Sequence, residues 1–361
     1  MRRGILLATA LVALLAGVSR ADVVGDAKAG QDALNRNDYN GAVALFTRAI
    51  EAHGLSPEGQ ESAYVERATA YVALRQYDLA LADLDLAQAI TANDPDARNL
   101  RAQIPQTATL DQASAARRGA ALYERGDYDG AITALDRAVE LSPNDQYSLY
   151  ERGLTWIGKQ EYQRAINDFS TVLRLAPSTW GAYDVRGDAY RLRGDTDKAI
   201  ADYNQAIQLH PNDAAGFFGR GQAAADRRDA QGAIADFTHA LQLAPNTEAY
   251  LYARCAVRAA ASIQLDQALA DCNHALELYP NDANVLDARA FVWFRRGQMG
   301  RAIDDDNAAL QVDPRHASSL YVRGLAQTRN GQSGPGQADI RAAQALNPKV
   351  GDYYAKWGVR P

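Results

Sequence analysis

A spacing of 34 residues recurs through most of this 361-residue sequence. It is marked by prolines that follow one another at intervals of 34, with a single interval of 35 before Pro280: Pro143, Pro177, Pro211, Pro245, Pro280, Pro314 and Pro348. A fixed period of this length is typical of stacked helix hairpins, in which each hairpin buries its apolar face only against its neighbours. The sequence therefore predicts an array of stacked helix hairpins, and the chain is long enough to bury a continuous core.

Residue size within each period supports helices. With the proline at position 32, nine repeats start near residues 23, 61, 112, 146, 180, 214, 248, 283 and 317. Small residues recur at positions 8, 20 and 27, as in Gly187, Ala199 and Ala206. Larger residues recur at positions 4, 11 and 24, as in Tyr183 and Tyr190. Spacings of three, four and seven are helical.

This pattern resembles the tetratricopeptide repeat family across residues 23–348. The resemblance implies an all-α fold, an α-solenoid in which antiparallel helix hairpins stack into a right-handed superhelix. On this basis residues 22–94 hold the first two repeats and residues 112–348 hold repeats three to nine. Residues 95–111, which contain Pro95 and Pro105, are predicted to be a spacer.

The two ends of the chain depart from the repeat. Residues 1–21 combine an early Arg pair, an apolar run and a small-residue cleavage motif, which predicts a signal peptide; a retained membrane anchor is the alternative. Residues 349–361 carry Tyr353, Tyr354 and Trp357 at helical spacing. A hairpin stack needs a cover for its last apolar face, so this segment is predicted to cap the face beside Ala343 and Leu346; a partner-binding tail is the alternative.

A charge pattern accompanies the small residues. Position 7 is Arg in eight of the nine repeats and position 23 is Asp in seven, as in Arg152 and Asp168. The two positions face each other across a hairpin, which predicts a structural ion pair in each such repeat, because Arg can bind a carboxylate with two parallel hydrogen bonds. A ladder of Arg for anionic ligands is the alternative, but it leaves the Asp residues unexplained.

The seventh repeat holds both cysteines of the chain. Cys255 and Cys272 mirror each other across the hairpin, which allows a disulfide in an oxidising compartment or two small buried side chains. The five histidines are scattered, with no third ligand at a fixed offset, and no nucleophile has a neighbouring base. We therefore expect no catalytic residue, no metal site and no cofactor. The net charge of −6 argues against nucleic acid as a partner.

In the tetratricopeptide repeat family the first helix of each hairpin lines a concave groove, chiefly through positions 2, 5, 9 and 12. Transferring those positions implies a groove that binds a partner through the following residues: Tyr147, Tyr150, Asp184, Asp188, Phe218, Gln222, Tyr252, Asp287, Phe291, Phe294 and Tyr321. The early repeats are blander there, with Val65, Thr69 and Ala116. The alternative is that these side chains only pack neighbouring helices together.

The resemblance implies a non-enzymatic scaffold or adaptor that binds a partner protein or an extended peptide. Together with the predicted signal peptide, it points to an exported, periplasmic or secreted protein of the cell envelope, with no membrane span in the mature chain. The alternative is a self-associating structural component of an envelope assembly or a polysaccharide-export machinery.

Overall fold

The computed structural model describes residues 20–52, 54–104 and 112–361. Within these ranges the chain forms twenty helices and no strand, so the all-α prediction is confirmed. Residues 1–19 of the predicted signal peptide and residues 105–111 of the predicted spacer lie outside the described ranges. None of the helices in these ranges is both long enough and apolar enough to span a membrane.

The helices fall into two compact units, with the division between residues 193 and 194. The N-terminal unit contains α1 (Arg20–Asn35), α2 (Tyr39–Glu51), α3 (Pro57–Ala73), α4 (Tyr77–Ile90), α5 (Pro95–Gln103), α6 (Gln112–Glu124), α7 (Tyr128–Leu141), α8 (Gln146–Gly158), α9 (Tyr162–Leu175) and α10 (Trp180–Arg193). Apart from α5, consecutive helices alternate as first and second helices of the predicted hairpins.

The C-terminal unit continues the same alternation. It contains α11 (Thr196–Leu209), α12 (Ala214–Asp226), α13 (Ala230–Leu243), α14 (Glu248–Ala261), α15 (Leu265–Leu278), α16 (Ala283–Arg295), α17 (Met299–Val312), α18 (Ala317–Arg329), α19 (Ser333–Leu346) and the short α20 (Val350–Lys356). Within each unit, away from the spacer, the helices pack against their sequence neighbours, and each first helix also contacts the first helix of the next hairpin.

The small residues at position 8 allow the two helices of a hairpin to approach each other. A Cβ atom placed on Gly153 of α8 would lie 2.7 Å from the Phe169 ring of α9. In the C-terminal unit a Cβ atom on Gly221 would lie 2.6 Å from Phe237. The aromatic side chain at position 24 therefore fills the space that the missing side chain leaves, which explains why the two positions vary together in size.

The turn inside each hairpin has a left-handed residue at position 15. The sequence pattern predicts this conformation for Gly126, Gly194, Gly297 and Gly331, and the structure confirms it. The same conformation occurs at the non-glycine residues of the other five repeats: Asn37, Arg75, Gln160, Arg228 and Ser262. Gln264, also left-handed, accommodates the extra residue of the seventh repeat.

Aspartates that follow the repeat prolines cap the next first helix, as the sequence predicts. The Asp145 carboxylate accepts a hydrogen bond from the Ser148 backbone amide at 2.8 Å, at the start of α8. The Asp282 carboxylate accepts one from the Asn284 amide at 2.8 Å, at the start of α16. These caps satisfy amides that the first turn of a helix leaves without a carbonyl partner.

Six of the predicted Arg–Asp pairs are present as forked ion pairs. Each joins the first and second helices of one hairpin: Arg67–Asp83, Arg152–Asp168, Arg220–Asp236, Arg254–Asp271, Arg289–Asp305 and Arg323–Asp339. In these pairs Nε and Nη2 of the Arg donate to the two carboxylate oxygens, which is the planar geometry that only Arg provides.

These arginines also bind the preceding repeat, which the pattern of positions 7 and 23 does not predict. In all eight repeats with Arg at position 7, its side chain donates to a polar side chain at position 25 of the repeat before. The acceptors are Thr47, Asp85, Asp136, Ser170, Asn204, Thr238, Asn273 and Asn307. In the six repeats with a forked pair, one arginine thus joins two hairpins as well as the two helices of its own.

The predicted spacer begins with a helix. Residues 95–103 form α5, which packs against α3 and α4 and buries Ala97 and Leu100. Asp94 caps it by accepting from the Ala97 amide at 2.6 Å, and Arg101 donates to Asp85 of α4. The first part of this segment is therefore packed into the second repeat.

The seventh hairpin is covalently closed. Cys255 of α14 and Cys272 of α15 form a disulfide, with their Cα atoms 5.8 Å apart. Both side chains are fully buried. Because positions 8 and 24 of the other repeats hold a small residue facing a large one, two cysteines fit the same site as a bonded pair.

Candidate functional site

The predicted groove residues lie on first helices of both units, and they form two sets with different surroundings. Four belong to the N-terminal unit, on α8 and α10: Tyr147, Tyr150, Asp184 and Asp188. Seven belong to the C-terminal unit, on α12, α14, α16 and α18: Phe218, Gln222, Tyr252, Asp287, Phe291, Phe294 and Tyr321. We call the first set the acidic aromatic surface and the second the C-terminal groove.

The acidic aromatic surface combines an exposed and a half-buried tyrosine. Tyr147 is 43% exposed. Tyr150 is half-buried and its ring packs edge-on against Phe169, with the centroids 5.5 Å apart. On α10, Asp188 is half-buried and Asp184 is buried. Aromatic rings and carboxylates are therefore neighbours on α8 and α10.

The electrostatics of this surface are negative. Burial raises the pKa of Tyr150, and the carboxylates of Glu151, Asp184 and Asp188 raise it further. A phenol surrounded by negative charge remains neutral and can donate a hydrogen bond, while the carboxylates attract cations. The surface therefore suits a ligand that is both apolar and basic.

Tyr123 on α6 extends this surface, although the sequence analysis did not include it. Burial raises its pKa to about 12, and Tyr128 and Glu151 add to the effect. The interpretation of the early repeats as bland is therefore too narrow. Tyr123 occupies position 12 of the third repeat, so the family positions used for the other repeats would have identified it.

In the C-terminal groove, the structure separates the predicted residues by exposure. Phe218, Gln222 and Tyr252 are partly exposed. The others are buried: Asp287, Phe291, Phe294 and Tyr321. The sequence pattern predicts exposed recognition residues at these four positions, whereas the structure buries them; Phe291 and Tyr321 are covered by Tyr354, which follows the last repeat.

The covering residue at the centre is Tyr354 of α20. Its ring stacks on Tyr321 of α18, with centroids 5.1 Å apart, and meets Phe291 of α16 edge-on at 5.0 Å. Its hydroxyl lies 2.5 Å from Ser318 Oγ, and Ser318 donates to Asp287 Oδ2. Since a serine hydroxyl has one hydrogen, Tyr354 is the donor to Ser318. The Tyr354 ring therefore packs between two aromatic rings, and its hydroxyl begins a hydrogen-bond chain through Ser318 to Asp287.

The residues after Tyr354 continue across the first helices towards α12. Arg295 Nη2 of α16 donates to the Trp357 carbonyl at 2.9 Å, and Arg228 Nη1 donates to the Lys356 carbonyl at 3.4 Å. The Trp357 ring packs against the cluster around Ala224 and Val257. The segment is thus held by its side chains and by its main-chain carbonyls.

The sequence predicts that this segment caps the last hairpin beside Ala343 and Leu346. In the structure α20 contacts both helices of that hairpin, α18 and α19, and Val350 lies in one buried cluster with Ala343. Leu346 remains 38% exposed, whereas Tyr354 and Val359 are buried. The first helices offer the tyrosine two aromatic rings and a hydrogen-bond partner, and such ring contacts add to the free energy gained by burial. At the end of the stack, the apolar side chains that the sequence predicts as neighbours are those of Leu346 and Ala343.

Two buried carboxyl groups lie beneath this contact. Burial raises the pKa of Asp306 on α17 well above its usual value, and the charge of Asp287 raises it further. Burial also raises the pKa of Asp287. The pair therefore holds a proton that an exposed aspartate would lose. In the described part of the chain no three potential metal ligands lie together.

Comparison with protein families finds two repeat models in this chain. A model described as "TPR repeat" matches residues 119–156 and 187–226, and one described as "Tetratricopeptide repeat" matches residues 28–97. Comparison with curated protein sequences finds no match.

Solved structures share the fold at low sequence identity. A tetratricopeptide repeat protein from Parabacteroides merdae is 17% identical with a TM-score of 0.57, over 69% of this chain and 99% of that one. The Cut9–Hcn1 hetero-tetramer of APC/C gives 15% identity and a TM-score of 0.56, over 98% and 79% of the two chains. PilW, a type IV pilus biogenesis factor, is 18% identical with a TM-score of 0.51, over 59% of this chain and 98% of that one. The repeat models thus identify tetratricopeptide repeats within this chain, and the solved structures share its all-α solenoid fold.

Proposed function

We propose that this protein is a non-enzymatic scaffold of the cell envelope whose acidic aromatic surface binds an extended segment of a partner protein. The observation that carries the proposal is the position of Tyr150 among three carboxylates, with Tyr147 exposed beside it on the same helix. The family supports the general role, since its fold serves protein–protein interaction.

The chemistry of the surface defines the partner segment. Tyrosine is enriched among residues that dominate binding free energy, because it buries a large ring at low cost in conformational entropy. The carboxylates of Asp184 and Asp188 favour Lys or Arg on the partner and increase the rate of encounter at low salt. The partner therefore presents basic side chains interleaved with apolar ones.

Export is part of the proposal. The basic start and apolar run of residues 1–21 fit a signal peptide. The Cys255–Cys272 bond fits an oxidising compartment, because disulfides persist outside the reducing cytosol. Fractionation of cells that express the full sequence tests this directly. A full-length, reduced protein found only in the cytosol would contradict export.

The binding test uses the full chain as bait in a cell-envelope extract of the source organism. We expect at least one partner to be recovered by the wild type and lost by the double variant Tyr147→Ala, Asp188→Lys. The matched control is Tyr279→Ala, which removes a 57%-exposed tyrosine from the end of a second helix and should retain the partner. Recovery of the same partners by all three proteins would refute the surface, and recovery of this chain alone would favour self-association.

A further inference from the structure

We infer that residues 350–361, the C-terminal segment, are a built-in ligand of the C-terminal groove, which a partner displaces by presenting the same chemistry. That chemistry is an aromatic residue with a hydroxyl group, followed one helical turn later by a second aromatic residue, on a main chain with accessible carbonyls. The inference rests on the proposed function, since it assigns a second partner-binding surface to the same scaffold.

The location of the segment is the first argument. Tyr354 fills a groove formed by first helices, at positions that the family uses for binding, while α20 also contacts α19 of the last hairpin. Tyr354 contacts residues of two first helices, Phe291 of α16 and Tyr321 of α18. Trp357 lies farther along, against a cluster built from residues of α12, α13 and α14. The segment thus runs from the last hairpin over several earlier helices, as a bound peptide would.

The kind of contact is the second argument. Arg295 and Arg228 donate to main-chain carbonyls of Trp357 and Lys356, and such bonds do not depend on which side chain the ligand carries. The selective contacts come from the Tyr354 ring and from its hydroxyl on Ser318. A foreign segment that supplies one tyrosine and one tryptophan can therefore replace every contact named here.

The size of the segment is the third argument. α20 has seven residues, and isolated helices shorter than about 12 residues are marginal in water. Its helical form therefore depends on the groove. One side of the segment faces water, since Asp352, Tyr353 and Lys356 are exposed. A short helix that depends on its groove and is exposed on its other side can bind and dissociate as a single unit.

Attachment in the same chain explains why the groove is filled. A short tether gives the segment an effective concentration in the millimolar range. A free peptide with the same contacts must compete with that concentration, so its apparent affinity for the intact protein is low. Releasing the segment should increase that affinity at least tenfold.

The test uses a fluorescent peptide with the sequence of residues 349–361, KVGDYYAKWGVRP, and full-length proteins. In the released variant, Tyr354→Ala and Trp357→Ala remove the two anchors. We expect this variant to bind the peptide at least tenfold more tightly than the wild type, as measured by anisotropy. Adding Ser318→Ala and Arg295→Met should abolish that gain. The control peptide carries the same two alanine changes and should bind none of the proteins.

A released variant that is folded by circular dichroism and does not bind the peptide overturns the inference, because the segment is then a fixed part of the fold. If that variant does not fold, hydrogen exchange of the wild type tests whether the peptide displaces the segment. Saturating peptide should speed hydrogen exchange of the amides of residues 350–357 severalfold, and an unchanged rate overturns the inference. The pull-down through Tyr147 and Asp188 is independent of these outcomes, so failure of either proposal can be recognised separately.

Discussion

Arg152 on α8 and Asp168 on α9 form a forked ion pair that joins the two helices of one hairpin. Nε and Nη2 of the arginine donate to the two carboxylate oxygens at 2.9 and 2.7 Å. The remaining Nη1 donates to Asp136 of the preceding repeat at 2.8 Å. The hydrogen bond to Asp168 raises the pKa of Arg152, so the arginine stays charged. One side chain thus connects three helices.

Removing this arginine should cost substantial stability. The variant Arg152→Met leaves Asp168 buried without its arginine, and such a loss destabilises by about 3 kcal/mol. Urea unfolding followed by circular dichroism measures it. The control is Arg137→Met, whose side chain is 49% exposed and paired with Glu140 on the surface, and it should change stability by less than about 1 kcal/mol. Equal losses for the two variants would show that the pair is not structural.

The close approach at position 8 predicts a steric cost. Gly153→Ala places a methyl group 2.7 Å from the Phe169 ring and should destabilise by about 1–3 kcal/mol, because the packed core must shift. The second variant Phe169→Leu should restore part of the loss when combined with it. Gly25→Ala is the control, since no atom lies within 4 Å of its Cβ position in α1, and it should stabilise by about 0.5–1 kcal/mol. The unfolding midpoints of the wild type, Gly153→Ala, the double variant with Phe169→Leu and Gly25→Ala measure these effects. A Gly153→Ala variant as stable as the wild type would contradict the predicted steric cost.

The buried carboxyl pair predicts a dependence of stability on pH. Since burial raises the pKa of Asp306 above its usual value of 3.8, the folded protein binds a proton that the unfolded chain releases. This contribution is complete below pH 3.8 and is lost as the pH rises through the folded-state pKa. Asp306→Asn keeps the shape without the charge, so it should raise the melting temperature relative to the wild type at pH 8 more than at pH 5. Asp304→Asn, an exposed neighbour on α17, should not alter the pH dependence. Parallel melting curves for wild type and Asp306→Asn at both pH values would exclude a perturbed carboxyl pair.

Loss of the disulfide should loosen the seventh hairpin. Cys255 and Cys272 are 17 residues apart, and closing a loop of about 15 residues stabilises by about 3 kcal/mol in the chain-entropy model. The double variant Cys255→Ala, Cys272→Ala should therefore melt at a lower temperature than the oxidised wild type. Reductant should lower the melting temperature of the wild type towards that of the variant and leave the melting temperature of the variant unchanged. A wild type whose mass shows two free thiols after purification under oxidising conditions would refute the bond.

The sequence predicts most of the fold because several residue patterns in each repeat independently indicate the same helix hairpin. Small residues facing aromatic ones, left-handed turn residues and Arg–Asp pairs all follow from the geometry of one hairpin. The contacts between hairpins are harder to infer. The polar residue at position 25 varies among Asp, Asn, Ser and Thr, and it becomes a pattern only once the arginine of the next repeat is seen to reach it.

The candidate site is predicted less well, for a physical reason. The positions that line a groove can be counted along a repeat, and Tyr147 and Tyr150 were found in this way. What occupies the groove depends on a segment outside the repeat. The spacing of Tyr354 and Trp357 predicts a helix, but an apolar helix of one or two turns can cover either the end of a stack or its inner face. Here α20 contacts α19 of the last hairpin, and the aromatic and polar contacts of Tyr354 with Phe291, Tyr321 and Ser318 place it over first helices as well.

The double role of the position 7 arginine has a consequence for how the stack unfolds. In an Ising description of a repeat protein, stability is the sum of an intrinsic free energy for each repeat and a coupling between neighbours. The bond to position 23 contributes to the intrinsic free energy, and the bond to position 25 contributes to the coupling. In the ninth repeat position 25 is Arg341, an exposed residue. Exchanging Asn273 or Asn307 for alanine should therefore weaken the coupling alone, so that melting broadens and spreads from one hairpin to the next.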